Sequence, residues 1–522
     1  MLCQFIAVPE KMKVSKNNLF IVILLIISVI YYIPIIKSPL APFDEAVILV
    51  GADRIMKGEI PYKDFLTIYG PAQIYTLATL FEFFGVSVTV ERIYDIIIKS
   101  FLSIIIFLII RKIASNKTAI IGWVMSLIWI EYSYFHVYPV YPAVLFTFIS
   151  VYFLLFHIEQ EKKSYVVLSA ISIVIAILFR HDLGGLAALV ITTILILRKK
   201  ISKQKSWLPL IYYIATGIIT SVPVIIWLLI YSDINAALND LIYYPLSIPG
   251  QQGLPYPVLS RWNLPFYVFP SVLLIGLLTF IKLIKQKMIN TTAYGILLIS
   301  VVGIVFCNQL WGRTDITHLI PSSLAAILLS PILMHTLLKI NSQSSRFYAF
   351  IFMLFIIFFG ITLSKPLEKK FQLLPRNYSI SVINPDIKRA KYAFISQDIK
   401  DVVSFIQNIT TLDEYIYVGV KNHDNLVMND PIFYFLAERN CATKYHELSP
   451  GHVTTVKIQN EMVNELKNTN TSLVVLAPRH SSEPNISGID VKIDILDEYI
   501  SSNFELRRTF GIYEIWTRKT IS

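Results

Sequence analysis

Charged residues are scarce in this chain. They make up 16% of 522 residues, whereas 55% are hydrophobic and the mean hydropathy is +0.60. Such a composition excludes a disordered chain and argues against a soluble globular protein, which leaves a protein that crosses a membrane several times. The formal charge is +11, but the cations lie in short clusters between apolar runs and form no basic face, so we expect no nucleic-acid partner.

Cysteine and phosphate-binding glycine motifs are also lacking. The three cysteines, Cys3, Cys307 and Cys441, lie far apart, which excludes a disulfide framework and a zinc site of ordinary spacing. No glycine-rich loop follows the apolar runs 415–420 and 473–477, so a nucleotide site is not supported. No cofactor is indicated with certainty, and a requirement for a divalent metal stays open.

Long apolar runs recur before residue 365 and are missing after it. Each is long enough to cross a hydrocarbon core of about 30 Å. The sequence predicts eleven transmembrane helices, near 18–36, 93–111, 119–134, 141–157, 165–180, 184–198, 208–230, 265–281, 292–308, 317–338 and 347–363. We therefore predict a polytopic α-helical module, 1–364, and a separate domain, 365–522. The first apolar run has no small-residue cleavage site after it, so we expect a retained helix.

The distribution of Lys and Arg predicts the orientation. The short connections on the N-terminal side hold eighteen of them, and those on the opposite side hold eight. Because cations concentrate on the cytoplasmic side, we expect a cytoplasmic N-terminus in the cell membrane. The long connections 37–92 and 231–264 and the domain 365–522 then lie outside.

The outer segments have different patterns. Domain 365–522 reads as a small α/β domain, with helices at 386–408, 431–439 and 455–468, strands at 415–420 and 473–477, and a hairpin through 504–510 and 512–518. Five prolines in or next to 231–264 exclude one continuous helix there and predict a mobile loop. That loop either borders a substrate cavity or is a plain linker.

The first outer connection carries a pair of acidic residues, Asp44-Glu45, at the start of a predicted short helix that ends at Gly58. A helix N-terminus stabilises negative charge, so simple capping is as good an explanation as catalysis. Pro61-Tyr62-Lys63-Asp64-Phe65 and Gly70-Pro71 follow. The apolar stretch 72–84 is too short to span and predicts a helix lying in the interface.

This order of motifs, from a transmembrane helix through the acidic pair to Phe84-Gly85 and Arg92, resembles the GT-C superfamily of membrane glycosyltransferases. In particular it is similar to bacterial and archaeal relatives of dolichyl-phosphate-mannose protein mannosyltransferases and of aminoarabinose transferases. The likeness continues through three further regions: Arg180-His181-Asp182, the run Arg313 to His318, and the outer domain at Pro431–Arg439 and Pro450-Gly451.

The resemblance implies transfer of a sugar from a polyprenyl-phosphate carrier to a lipid, glycan or protein acceptor on the outer face. It also implies that the acidic pair supplies the catalytic carboxylate, with Asp44 as the general base and Glu45 as a neighbour that positions the acceptor or the helix. Tyr62 and Asp64 are candidate substrate contacts because they belong to the motif. The alternative functions are a lipid-linked sugar transporter or flippase and a non-catalytic protein that binds lipid carriers.

The carrier phosphate needs cations, and Arg180, Arg313 and His318 fall at predicted outer helix ends. The alternative is that Asp182 pairs with Arg180 and Asp315 pairs with Arg313 merely to close those ends. Lys99 could contact phosphate too, but it lies four residues after Asp95 in a span, and mutual pairing is favoured. A cluster of aromatic residues is typical of the belt that lies at a membrane interface, and a platform for stacking carbohydrate is the less favoured alternative. The cluster consists of Trp129, Tyr132, Tyr134, Tyr138 and Tyr141.

Overall fold

The structure is a computed structural model, and it describes residues 16–131, 138–201, 206–260, 263–340, 381–425, 428–478, 487, 489 and 491–519. The predicted span 347–363 and the predicted domain boundary at 365 lie outside the described residues, as do Tyr132 and Tyr134.

Helices dominate the first 340 residues. In chain order they are α1 (Lys16–Tyr32), α2 (Asp44–Met56), α3 (Pro71–Phe84), α4 (Val88–Ile113), α5 (Asn116–Ile130), α6 (Val140–Gln160), α7 (Lys163–Phe179), α8 (His181–Ile201), α9 (Leu208–Tyr231), α10 (Ile234–Leu238), α11 (Tyr244–Gln252), α12 (Leu264–Lys285), α13 (Thr291–Phe306), α14 (Asn308–Gly312) and α15 (Ile316–Ile340).

Eight helical segments in the described part of the chain are long and apolar enough to cross a membrane: Asn18–Lys37, Val88–Ile113, Val140–Gln160, His181–Lys199, Leu208–Tyr231, Leu264–Lys285, Thr291–Gly312 and Ile316–Ile340. Two shorter apolar helices, α5 and α7, coincide with two further predicted spans. The polytopic helical fold class is confirmed, whereas the count of eleven spans is not. Helix α5 has 15 residues and is therefore about 22 Å long, shorter than a bilayer core.

Small residues bring the spans close together. An added Cβ at Gly276 of α12 would lie 2.1 Å from Ser300 Oγ of α13, and one at Gly303 would lie 2.4 Å from Leu273. Since lipid gives helices little hydrophobic reason to associate, such close packing stabilises a membrane bundle. The bundle fixes the outer ends of α8, α13 and α15, on which the site is built.

The outer domain contains a five-stranded mixed sheet with the order β2-β1-β3-β5-β4. The strands are β1 (Tyr415–Val420), β2 (Asn440–Cys441), β3 (Leu473–Ala477), β4 (Phe504–Phe510) and β5 (Tyr513–Arg518). Strands β1, β2 and β3 are parallel, and β4 and β5 form an antiparallel hairpin that pairs with β3. The predicted α/β class, both apolar strands and the terminal hairpin are confirmed.

The helices of this domain are α16 (Gln397–Ile409), α17 (Ile432–Ala437), α18 (Val456–Asn468) and α19 (Ile495–Asn503). The predicted helix 386–408 therefore starts too early. Phe394 forms a backbone bridge to the first outer connection, where Leu40 N donates to Phe394 O at 2.9 Å, and Ser396 then caps α16. A long-range pairing thus overrides the local helical pattern.

The first outer connection and the outer domain share one hydrophobic core. Side chains from α2 and α3 pack with those from α16, α17 and the sheet. Phe81 and Phe435 lie 6.1 Å apart between ring centroids, and Arg389 forms an ion pair with Asp53 at 2.9 Å. Arg54 Nη1 also donates to Thr443 O at 3.0 Å. The connection 37–92, which we assigned to the transmembrane module, is therefore packed as part of the outer layer.

As predicted, the outer connection 231–264 does not form one continuous helix. Its first part is nevertheless helical, from Ile234 to Gln252. A π-helical turn, Asn239–Tyr243, joins α10 to α11 directly before Pro245. Because proline has no N–H to continue the α-helical pattern, a wider turn at this point lets the helix continue. Irregular chain follows from Gly253.

Candidate active site

Asp44 lies at the first position of α2 and is half-buried. Burial raises the pKa of Asp44 to about 6, and three charged groups act on it: His318 and Arg313 lower it, whereas Asp315 raises it. A carboxyl group with this pKa is mostly ionised at neutral pH but still basic enough to accept a proton. Arg313, Asp315 and His318 therefore lie close enough to Asp44 for their charges to act on its carboxyl group.

Asp315 organises the second half of this cluster. Its Oδ2 accepts from Arg313 Nε at 3.0 Å, and its Oδ1 accepts from the backbone N of His318 at 3.0 Å and lies 2.8 Å from His318 Nδ1. The contact with the N–H three residues on makes Asp315 the cap of α15. Burial works to raise the pKa of Asp315, but the hydrogen bonds and charge of His318 outweigh it and hold that pKa below its usual range.

Arg313 also joins the outer cluster to the segment after α11. Its Nη1 donates to Gln252 O at 3.4 Å, and Thr314 Oγ1 donates to Leu254 O at 3.2 Å. Next to Thr314 opens a cavity of about 790 Å³, lined largely by apolar side chains of α12, α13 and the chain after α11. An arginine therefore stands beside the end of an apolar groove.

Arg180 lies in a closed network. Its Nε and Nη2 bind the two oxygens of Asp182 at 2.9 and 2.7 Å, and Gln309 bonds to both residues. The guanidinium also stacks below Tyr69 and Tyr138, whose hydroxyl groups bond to each other at 2.8 Å. Arg180 thus forms the ion pair with Asp182 that we gave as the alternative to phosphate binding. Its guanidinium group also supports the two tyrosines.

Of the two roles that we assigned to Glu45, positioning the acceptor or positioning the helix, its contacts fit the second. Glu45 is 1% exposed and is bound by both Nε and Nη2 of Arg92, at 2.7 and 3.0 Å. Arg92 also donates to four backbone carbonyl groups between Ile35 and Pro39. The two residues of the acidic pair therefore differ: Asp44 is half-buried and interacts with the charges of Arg313, Asp315 and His318, and Glu45 fastens α2 to α4 and to the end of the first span.

Tyr62 and Asp64 also have structural contacts rather than the substrate contacts that we assigned. Tyr62 is buried and its hydroxyl donates to Tyr69 O at 2.6 Å. Asp64 Oδ2 accepts from Ile60 N at 2.8 Å, which closes the turn 60–65. Both side chains hold the connection between α2 and α3 in shape.

Lys99 follows the favoured pairing alternative. Its Nζ lies 2.7 Å from Asp95 Oδ2, and it is fully buried over the ring of Tyr141. A phosphate contact for Lys99 is therefore not supported. The prediction of an interfacial aromatic belt is wrong for Trp129. This side chain is buried in the bundle and donates to Ser323 Oγ at 2.7 Å.

The sequence did not identify two buried acidic residues as candidates for the site. Glu447 of the outer domain and Asp240 of the π turn are both buried. Burial, Asp44 and Asp240 raise the pKa of Glu447 to about 8, while burial raises that of Asp240 to about 6. No local motif marks Glu447, since it lies some four hundred residues after Asp44 and only the tertiary fold joins them. Among the described residues, no group of three or more His, Cys, Asp or Glu side chains is arranged to hold a metal ion.

Comparison with known proteins agrees with this architecture. The family model described as dolichyl-phosphate-mannose-protein mannosyltransferase matches residues 69–227. A search of curated proteins gave no match.

Solved structures share the fold at low identity. ArnT from Cupriavidus metallidurans bound to undecaprenyl phosphate has a TM-score of 0.52 at 12% identity, over 97% of this chain and 98% of that one. The archaeal oligosaccharyltransferase AglB from Archaeoglobus fulgidus, in complex with an inhibitory peptide and a dolichol-phosphate, has a TM-score of 0.52 at 10% identity, over 88% of this chain and 70% of that one. The resemblance stated from residues 44–92 is confirmed at this level, and the chain has the fold of the GT-C membrane glycosyltransferases.

Proposed function

We propose that the protein transfers a sugar from a polyprenyl-phosphate donor to a hydroxyl-bearing acceptor at the outer face of the cell membrane. The observation that carries this proposal is that the charges of Arg313 and His318 act on Asp44, while Arg313 directly precedes Thr314, which lines an apolar groove. A carboxylate, a phosphate-binding cation and a lipid-sized groove are what such a reaction needs in one place.

The reaction follows from the chemistry of these groups. The acceptor oxygen attacks the anomeric carbon as its proton passes to the Asp44 carboxylate. The bond between that carbon and the phosphate oxygen breaks, and the polyprenyl phosphate leaves with the electron pair. A phosphate departs without a strong general acid, so one base and a cation that stabilises the growing charge suffice.

The donor end of the site is Arg313 with His318. Asp315 fixes both side chains, because it bonds Arg313 Nε and His318 Nδ1. A phosphate held at Arg313 would have its lipid chain next to Leu254, Leu273, Leu274 and Ile304 of the groove. Undecaprenyl phosphate in the ArnT structure and dolichol-phosphate in the AglB structure support a lipid-linked donor. The outer location rests on the Lys/Arg bias of the connections.

Transfer by the purified protein in lipid tests this function. The full chain is given a panel of polyprenyl-phosphate sugars together with acceptor lipids, glycans and peptides, and product is detected by mass spectrometry. Sugar transfer that depends on Asp44 supports the proposal. Movement of a lipid-linked sugar across vesicles without product would support the flippase alternative, and binding without either would support a non-catalytic carrier-binding protein.

Replacing Arg313 tests the phosphate contact. Arg313→Ala should weaken carrier binding about 10-fold or more, since a charge-assisted hydrogen bond contributes roughly 1.5–3 kcal/mol. Arg313→Lys should restore only part of this, because a lysine cannot form the two-pronged contact. The measurement is the binding of a short-chain polyprenyl phosphate. The control is Lys421→Ala, which removes an exposed cation of the outer domain. Equal affinity in all three variants would remove Arg313 from the donor site.

Filling the groove tests where the lipid chain lies. Leu274→Trp should raise the KM for long-chain donors by about 10-fold, because the larger ring occupies space that the chain needs. Short-chain donors should be affected much less. Leu278, one turn along α12 and 64% exposed, does not line the groove, so Leu278→Trp is the matched control. A similar KM shift for short and long donors would contradict a lipid chain in this cavity.

A further inference from the structure

Glu447 is a buried acidic residue that the reaction as derived does not use. It is 7% exposed, and its Oε2 has no hydrogen-bond partner among the described residues. A buried carboxyl oxygen without a partner is costly, and such an atom persists where something outside the chain supplies the hydrogen bond. The position of Glu447 therefore needs an explanation.

The segment that carries Glu447 is docked on the first outer connection. Leu66 N donates to Lys444 O at 3.1 Å, Arg54 Nη1 donates to Thr443 O, and the ring of His446 packs on Phe65 at 5.7 Å. These contacts come from α2 and from the turn after it. The segment is consequently fixed relative to Asp44, although the two residues belong to different parts of the sequence.

Asn429 fixes the backbone on both sides of Glu447. Its Nδ2 donates to His446 O at 3.0 Å, and its Oδ1 accepts from Leu448 N at 3.1 Å. The same Nδ2 donates to Val418 O at the end of β1, and the side chain is fully buried. A rigid sheet thus holds the one residue between these bonds, which is the arrangement expected of a group whose position matters.

Five titratable groups face Glu447 from the elements around it: Asp44 of α2, Tyr69 of the turn region, Tyr138 before α6, Asp240 of the π turn and Tyr244 of α11. Two of the five are acidic, and these raise its pKa in addition to burial. Glu447 is consequently a neutral carboxylic acid at pH 7 and can donate a hydrogen bond. Asp44, whose charge acts on Glu447, is mainly ionised at pH 7 and can accept a proton, so the two carboxyl groups have opposite capacities.

We propose that Glu447 binds the acceptor: its buried carboxyl group, whose Oε2 has no hydrogen-bond partner among the described residues, forms a hydrogen bond with an uncharged hydroxyl-bearing acceptor, so that the outer domain completes the active site. The proposal rests on the proposed function. The acceptor side is assigned because Glu447 belongs to the outer domain and lies close enough to Asp44 for that charge to act on it, whereas Arg313 and the groove belong to the helical module. The carboxylates of Asp44 and Asp240 also make this side unfavourable for an anionic group.

Kinetics of Glu447 variants test the proposal in the full chain. Glu447→Ala should raise the acceptor KM by about 10-fold, because one buried hydrogen bond is lost, while the donor KM stays the same. Glu447→Gln keeps a neutral donor of similar size and should stay within about threefold of wild type at pH 7. The matched control is Glu461→Gln in the same domain, which removes a carboxylate that bonds Lys444 and Tyr445 instead.

The pH dependence separates this role from a purely structural one. In the wild type the neutral form is present below about pH 8 and is lost above it, so the acceptor KM should rise as the pH increases through 8. Glu447→Gln cannot lose a proton there, and its acceptor KM should stay flat. A rise of equal size in both, a change in the donor KM alone, or the same effect in Glu461→Gln would overturn the proposal. If the wild type transfers no sugar from any polyprenyl-phosphate donor, the proposed function fails instead.

Discussion

Replacing Asp44 with asparagine should lower the turnover of glycosyl transfer by about 10²–10⁴-fold, the usual contribution of a general base. The amide keeps the size and the hydrogen-bonding capacity of the side chain but cannot accept a proton. Carrier affinity should change little, because we assign the phosphate contacts to Arg313 and His318. The measurement is single-turnover transfer together with carrier binding on the same preparation.

The pH profile gives an independent test of Asp44. Burial raises its pKa to about 6, so the carboxylate that accepts the proton is lost as the pH falls through 6. The kcat of the wild type should therefore fall below pH 6, and the residual activity of Asp44→Asn should lack this limb. Asp401→Asn, at a surface carboxylate of α16, is the control. Near-normal transfer by folded Asp44→Asn would show that the base lies elsewhere.

Truncating either partner of the Glu45–Arg92 pair should reduce the free energy of unfolding by about 3–5 kcal/mol, the effect of leaving one buried charge uncompensated. Both side chains are almost completely buried. Truncation of Arg92 would also leave backbone carbonyl groups of residues 35–39 without their hydrogen-bond donor. Glu45→Ala and Arg92→Ala are the variants, measured by denaturant titration in detergent micelles. Loss of stability rather than loss of acceptor affinity is the expected signature.

The double variant is the control for this pair. When both partners are truncated, no charge remains unpaired, so the loss of stability should be clearly smaller than the sum of the two single effects. Arg54→Ala, at another buried arginine that bonds Thr443 O and Asp64 O, shows what loss of backbone contacts alone does. Additive single effects would mean that Glu45 and Arg92 act independently.

Local patterns predicted the elements well where one strong signal decided them. The acidic start of α2, the interfacial helix α3, strands β1 and β3 and the terminal hairpin all follow from composition and period. The start of α16 was missed because Phe394 pairs with the first outer connection, and such a partner is invisible in a window of ten residues. The span count depends on α5, whose 15 residues are apolar but short.

The site could be predicted only as far as each residue carried its own local signal. Asp44 and Asp315 stand at helix starts, and Arg313 lies two residues before Asp315, so the sequence already grouped them with helix ends. Glu45 has the same local signal as Asp44, and only the arginine 47 residues later decides that it is structural. Glu447 has no local signal at all, because its pKa and its burial come entirely from the packing of the outer domain on α2.

The core shared by α2, α3 and the outer domain also sets an order in time. A chain made from its N-terminus completes the connection 37–92 long before the packing partner of that connection exists. Roughly 300 residues separate Phe84 from Lys388, which corresponds to about 15–60 s at 5–20 residues per second. During that interval Ile74, Leu77 and Phe81 have nothing from the outer domain to cover them. Maturation of the active site is thus a late event, and faults in the last quarter of the chain reach Asp44 through delayed closure of this core.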